Sequence, residues 1–242
     1  MGTFIYYGDD IKIKNEIFRN LMFFENVRFL ILSEIFRKIA ERMFQRLPDG
    51  VYGIISVVAG GVGMVLAYIF FPGYNFVERM ISDLGAGPGG FFFNIGLIIS
   101  GILGFPFVLS LNKSIKSAQI NERLKKFSYI IAILACASLS LIGCFPAIES
   151  NILLLALHGL CASTSWICGF LFCTLFSAVI IKNSDYSKFC AYLGFFVAGV
   201  FLLTLLTWIP VIEWFMLVSF YLWILTMAIR RMYIRKMTQS IM

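Results

Sequence analysis

The sequence predicts an all-α membrane protein: a polytopic bundle of six transmembrane helices preceded by an N-terminal amphipathic helix. Three observations predict it. Of 242 residues, 60% are hydrophobic and only 14% charged, against about 25% charged in soluble domains, and the mean hydropathy is +0.89. The apolar residues gather into six stretches, each near the ~20 residues that cross about 30 Å of hydrocarbon at 1.5 Å per residue. Finally, alternating the chain through six spans places 19 of the 20 Lys and Arg on one side. No polar linker divides residues 51–230, so they are read as one transmembrane domain. A cytoplasmic amphipathic segment, 1–50, precedes it and a cytoplasmic basic tail, 231–242, follows.

The elements follow in order. Between Asn15 and Arg46 the apolar residues Ile17, Leu21, Phe24, Ile31, Ile35 and Ile39 recur at spacings of three, four and seven, and Glu34 and Lys38 form a favourable i,i+4 pair. This pattern suits an amphipathic helix lying on an anionic leaflet, and equally one packed on the inner ends of the bundle. Met43 offers an alternative start that would remove most of this segment. The spans are about Val51–Phe71, Phe91–Leu111, Phe127–Phe145, Ile152–Ile181, Cys190–Ile209 and Trp214–Arg230. Small residues at four-residue spacing, Ala59 and Gly63, Ser100 and Gly104, Gly194 and Ala198, let helices approach closely. Pro106 falls inside the second span, where a kink is expected.

Charge sets the orientation. Eight basic residues precede the first span, five lie in the 112–126 segment, Lys182 and Lys188 follow the fourth span, and Arg230, Arg231, Arg235 and Lys236 follow the sixth. Only Arg79 lies on the opposite side. The positive-inside rule then places both termini in the cytoplasm, most simply of a cell membrane. The net charge of +7 is explained by this flanking role, and a nucleic-acid partner is not expected. The six cysteines lie in or beside apolar spans without paired CxxC spacing, so they read as free thiols acting as small hydrophobes. The first long apolar run starts only at Val51 and is too long for a signal-peptide core.

The unusual chemistry gathers on the face opposite the cations. Glu78, Asp83, Glu149 and Glu213 lie there with few basic partners. The first loop, residues 71–90, carries apolar anchors (Phe76, Val77, Met80, Ile81, Leu84), so it is expected to pack on the bundle; Tyr74 and Ser82 lie within it. Asp83 precedes a Gly-rich turn that it is suited to close. His158, the sole histidine, lies roughly 9 Å along the fourth span from its start. An imidazole at that depth should face the bundle interior or a wet cavity, as a hydrogen-bonding strut or an acid–base group. Ala162 and Ser165 share its helical face, and Asn94 falls in the first turn of the second span. Glu213 opens the sixth span, where the helix dipole favours a carboxylate. Trp208 and Trp214 beside it suit an interfacial aromatic belt. Asp83, His158 and Glu213 are therefore candidate catalytic groups around one shallow polar pocket, with Tyr74, Ser82, Asn94 and Ser165 as candidate ligand-binding groups. The same three groups suit a zinc ion; no cofactor motif stands out.

Ile81-Ser82-Asp83-Leu84-Gly85, then Phe93-Asn94 and Gly96, Gly143-Cys144-Phe145-Pro146, His158-Gly159 with Ala162, and Pro210 with Glu213-Trp214 together resemble the domain-of-unknown-function family 998 over about residues 51–230. That resemblance implies a six-span integral membrane protein without an established activity. The ISDLG segment is also similar to the ISD-x-G segment of DRAM-like membrane proteins, some of which are tied to lipid remodelling and lipid-kinase regulation; that is analogy from one segment.

Three function classes remain. The first is binding or modification of a lipid or isoprenoid headgroup at an outward-facing polar pocket, with membrane lipid as partner. The second is a non-enzymatic scaffold or regulator whose basic cytoplasmic face meets protein partners. The third is a small-solute transporter, for which the spans lack an obvious mid-membrane charge and the halves show no repeat.

Overall fold

Long apolar runs become helices here because a backbone in hydrocarbon has only itself to hydrogen-bond with. The computed structural model describes residues 50–115 and 121–241. Its helices are α1 (Val51–Ile69), α2 (Gly90–Ser114), α3 (Glu122–Cys144), α4 (Ile152–Ile180), α5 (Lys188–Thr207) and α6 (Pro210–Ile241), with a short 3-10 helix, Ile81–Gly85, between α1 and α2. All six long helices are long and apolar enough to cross a membrane, and no strand occurs among the described residues. The chain is an all-α, multi-pass membrane protein. The amphipathic helix expected within 15–46 lies outside the described residues.

Local chemistry sets the ends. Asn121 Oδ1 accepts from the backbone N–H groups of Arg123 (3.0 Å) and Leu124 (3.2 Å), and Asn151 Oδ1 from that of Leu154 (3.2 Å). Both are side-chain N-caps satisfying donors that a helix start leaves orphaned. Pro210 opens α6, where its missing N–H costs nothing. The α5–α6 connection turns through Trp208 at φ 54°, a left-handed conformation that disfavours an L side chain by about 1–2 kcal/mol. Its ring packs against Trp166 at a centroid distance of 5.1 Å. Pro106 lies inside α2, which continues past it to Ser114. One helix end differs from the sequence reading. α6 continues well past Arg230 to Ile241, because no glycine or proline interrupts a stretch rich in Arg, Met, Lys and Gln, all good helix formers.

Each helix packs on the next, and α6 packs back on α1, so the six close into an up-and-down ring. Glycines bring α1 and α2 together. A Cβ added to Gly96 would lie 2.9 Å from the carbonyl oxygen of Ala59, and one on Gly63 would lie 3.0 Å from the Cα of Gly96. Outward-facing Val58, Val62, Val65, Leu202, Leu206 and Leu222 are exposed, as lipid-facing positions should be. Alternation puts the loops 70–89, 145–151 and 208–209 at one end of the ring. Among the described residues, every Lys and Arg except Arg79 lies toward the other end.

Candidate functional site

The loop between α1 and α2 is held to the ring at several points. Ile81 and Leu84 are buried, at 6% and 0% exposure, in an apolar cluster with Ala67, Phe93, Leu97 and Ile142. Phe76 and Val77, expected to anchor the loop as well, point outward and are exposed. Tyr74 is the stronger anchor. Its hydroxyl donates to the carbonyl of Met80 (2.7 Å) and accepts from Trp214 Nε1 (3.2 Å), with Tyr68 and Phe71 edge-on to its ring. Burial pushes the Tyr74 hydroxyl up to about 12, against the Trp214 hydrogen bond and with the charge of Glu213 adding to the rise. Asn94 Nδ2 donates to the carbonyl of Gly85 at 2.9 Å. Arg79 lies over the face of Phe71, 5.5 Å from its centroid.

Glu213 sits in the first turn of α6 and is 2% exposed. Its Oε2 accepts the backbone N–H of Ile81 at 2.7 Å, so a carboxylate on the last helix caps the start of the 3-10 turn. This is the only hydrogen bond it makes among the described residues, which leaves Oε1 unengaged. His158, 6% exposed, bonds through Nδ1 to the carbonyl of Phe145 at 2.8 Å. A carbonyl can only accept, so Nδ1 carries the proton, and in the neutral ring the lone pair falls on Nε2.

Glu213 and His158 line the same cavity, of about 130 Å³, enclosed by the ring. All six helices contribute to its wall, α5 through Phe201. By helical rise it extends roughly 20 Å, from His158 to Phe172 along α4. The wall is almost wholly apolar, with Phe93, Leu97, Phe107, Phe172 and Phe220 prominent. Its polar groups fall in two tiers. At the loop end are Ser82, His158 and Glu213. Deeper are Ser56, Ser100, Ser165 and Tyr221. Ser56 Oγ donates to the Ser100 carbonyl at 2.8 Å and lies 3.0 Å from Ser100 Oγ, and the Tyr221 hydroxyl bonds the Ser100 side chain. Of this hydroxyl tier the sequence reading singles out Ser165 as a ligand-binding candidate and not Ser56, Ser100 or Tyr221, although serines and a tyrosine inside apolar spans were the available signal.

Four of the seven candidate residues thus line one cavity: Ser82, Ser165, His158 and Glu213. The other three do not. Tyr74 and Asn94 brace the loop. Asp83 lies half-buried just outside the cavity wall, close enough to interact electrostatically with Arg79, Glu149 and His158. Burial raises its carboxyl above the ordinary value, opposed by the charge of Arg79 and reinforced by that of Glu149. The pocket is also deep and mostly apolar rather than shallow and polar. Among the described residues, no three of His, Cys, Asp and Glu converge as a metal-holding group. The zinc reading therefore has no ligand set.

The model of the family described as "Protein of unknown function (DUF998)" matches residues 54–230. The chain belongs to this family. The DUF998 region takes in the 3-10 turn and every candidate residue from Tyr74 to Glu213, so the loop end of the cavity is built wholly within it. Neither a curated protein nor a solved structure shows a significant match to the chain.

Proposed function

We propose that this DUF998 protein binds a lipid-like amphiphile, with the polar head at Ser82, His158 and Glu213 and the start of the tail in the cavity between the helices. One observation carries the reading: a single elongated cavity whose loop end presents unengaged polar atoms on two buried side chains, and whose remaining wall is mostly hydrocarbon. Sites for small molecules have this composition, a largely apolar wall with a few placed polar groups. Its volume, about 130 Å³, is close to the ~150 Å³ cavity that admits benzene. A five- or six-carbon segment, such as one isoprene unit or the first carbons of an acyl chain, is of comparable volume. A longer tail would continue between helices. The distribution of Lys and Arg supports a mouth on the outer leaflet side of a cell membrane, with both termini cytoplasmic.

Photolabelling tests this. A lipid analogue with a diazirine on its first tail carbons, added to the protein in nanodiscs, should label peptides of the cavity wall. Ala135→Leu and Ala162→Leu, which fill the cavity, should lower that labelling by about tenfold, a loss of roughly 1.4 kcal/mol in binding. Labelling confined to the ring's outer surface, or unchanged in the filled variants, would defeat the proposal.

A further inference from the structure

We infer that the head group held at this mouth is a primary ammonium whose three N–H donors meet His158 Nε2, Glu213 Oε1 and Ser82 Oγ. The inference rests on the amphiphile-binding reading above and names the chemistry of its polar end. Donor–acceptor complementarity favours such a head group. Glu213, 2% exposed, has committed Oε2 to the Ile81 N–H, and His158, 6% exposed, has committed Nδ1–H to the Phe145 carbonyl. The ionised carboxylate and the neutral imidazole then each offer the cavity a lone pair. Ser82 Oγ, which makes no hydrogen bond among the described residues, can accept as well as donate. A ligand rich in donors satisfies such a set, and a ligand rich in acceptors leaves it unpaired.

Charge favours it too. Asp83 stands beside the mouth and Glu149 acts on Asp83, while Glu213 is inside it. Arg79 is the only Lys or Arg at this end among the described residues, and its guanidinium lies over Phe71. A phosphate or carboxylate entering here would meet carboxylates in a setting poor in water, where like charges repel strongly. An ammonium would pair with Glu213 in its ionised form. A buried carboxylate is otherwise an expensive group to keep, and a charged ligand that pairs with it removes much of that cost.

The surroundings distinguish an ammonium with N–H groups from a quaternary one. The aromatic cluster of Tyr68, Tyr74 and Trp214 is not part of the cavity wall. The mouth therefore offers acceptors to N–H groups, not an aromatic cage for a methylated cation.

The experiment uses the full-length protein in nanodiscs and four octyl compounds, octylamine, octyltrimethylammonium, octanol and octyl phosphate. They compete with a diazirine-bearing octylamine for the cavity. Octylamine should compete best, octyltrimethylammonium and octanol about tenfold or more less well, and octyl phosphate least. Glu213→Gln, which keeps an oxygen for the Ile81 N–H, should bring octylamine to within about twofold of octanol. Lysophosphatidylethanolamine, tested alongside, identifies the source. Competition equal to octylamine assigns the ammonium to a phospholipid head, and weaker competition assigns it to a simple long-chain amine. Octyl phosphate matching octylamine, or an amine preference untouched by Glu213→Gln, would overturn the ammonium while leaving amphiphile binding in place. Absence of saturable binding by all the compounds would overturn both.

Discussion

The Glu213 carboxylate, at the start of the last helix, accepts the backbone N–H of Ile81 in the first loop at 2.7 Å, across 132 residues of sequence. One hydrogen bond thus ties the 3-10 turn of the first loop to the wall of the cavity. Glu213→Ala leaves the Ile81 N–H unpaired in a buried setting and should cost about 1–3 kcal/mol. Glu213→Gln should recover most of that loss. Thermal unfolding in detergent, together with proteolysis of the 72–89 segment, reads the difference; equal stability of the Ala and Gln variants would remove the cap from the account.

His158 has a separable strut and lone pair. His158→Asn can place an amide N–H toward the Phe145 carbonyl while deleting Nε2. It should melt close to wild type yet lose ligand binding. His158→Ala should still insert, bind poorly, and also lose about 0.5–1.5 kcal/mol of stability with the missing hydrogen bond. If His158→Asn binds as wild type does, the imidazole is a strut only.

Asp83 gives a pH signature of definite sign. Burial raises its folded-state value above the ordinary one, so the folded protein holds this proton more tightly than the unfolded chain. Its contribution is therefore most favourable below the ordinary carboxylate range and is lost as pH rises through the raised value. Asp83→Asn should accordingly raise the melting temperature more at pH 7 than at pH 4. A gain that is larger at pH 4 would show the carboxylate to be stabilised in its charged form.

Tyr74→Phe keeps the ring in its aromatic cluster and removes one hydroxyl that both donates to Met80 and accepts from Trp214. A loss of about 0.5–1.5 kcal/mol is expected, with a shift of Trp214 fluorescence as its indole N–H loses its partner. An unmoved spectrum would mean that the indole finds another acceptor.

The α1–α2 contact is sensitive to a single methyl group. Gly96→Ala would bring a Cβ to 2.9 Å from the Ala59 carbonyl oxygen, forcing helices apart at an overpacking cost of about 1–3 kcal/mol. Gly61→Ala, with open space around it, is the matched control and should be neutral. Equal effects would place the α1–α2 contact elsewhere.

The six spans were legible because bilayer physics is written into composition: length, apolarity and flanking charge suffice. Helix ends were less so, since Asn121 and Pro210 act as start signals a few residues outside the apolar runs. Within the site, His158 and Glu213 were findable as ionisable groups inside spans, where any such group needs a reason. Asp83, Tyr74 and Asn94 looked equally suggestive, yet two of them brace the loop and the third stands outside the cavity. Which role each takes depends on how the loop folds back, and that is fixed by Ile81 meeting Glu213 and Tyr74 meeting Trp214. Such long-range pairings leave no local periodicity. The Ser56–Ser100–Tyr221 tier was hidden for the same reason, because isolated hydroxyls on three helices become a group only when the ring closes.

That closure has a consequence for biosynthesis. The wall between α5 and α1 is supplied by α6, the last of the six helices to be synthesised. Until it inserts, the nascent chain has neither an enclosed cavity nor the carboxylate that caps the Ile81 turn. Truncation before Pro210 should therefore yield an open arc of helices that lipid can flood, a form suited to recognition by membrane quality control.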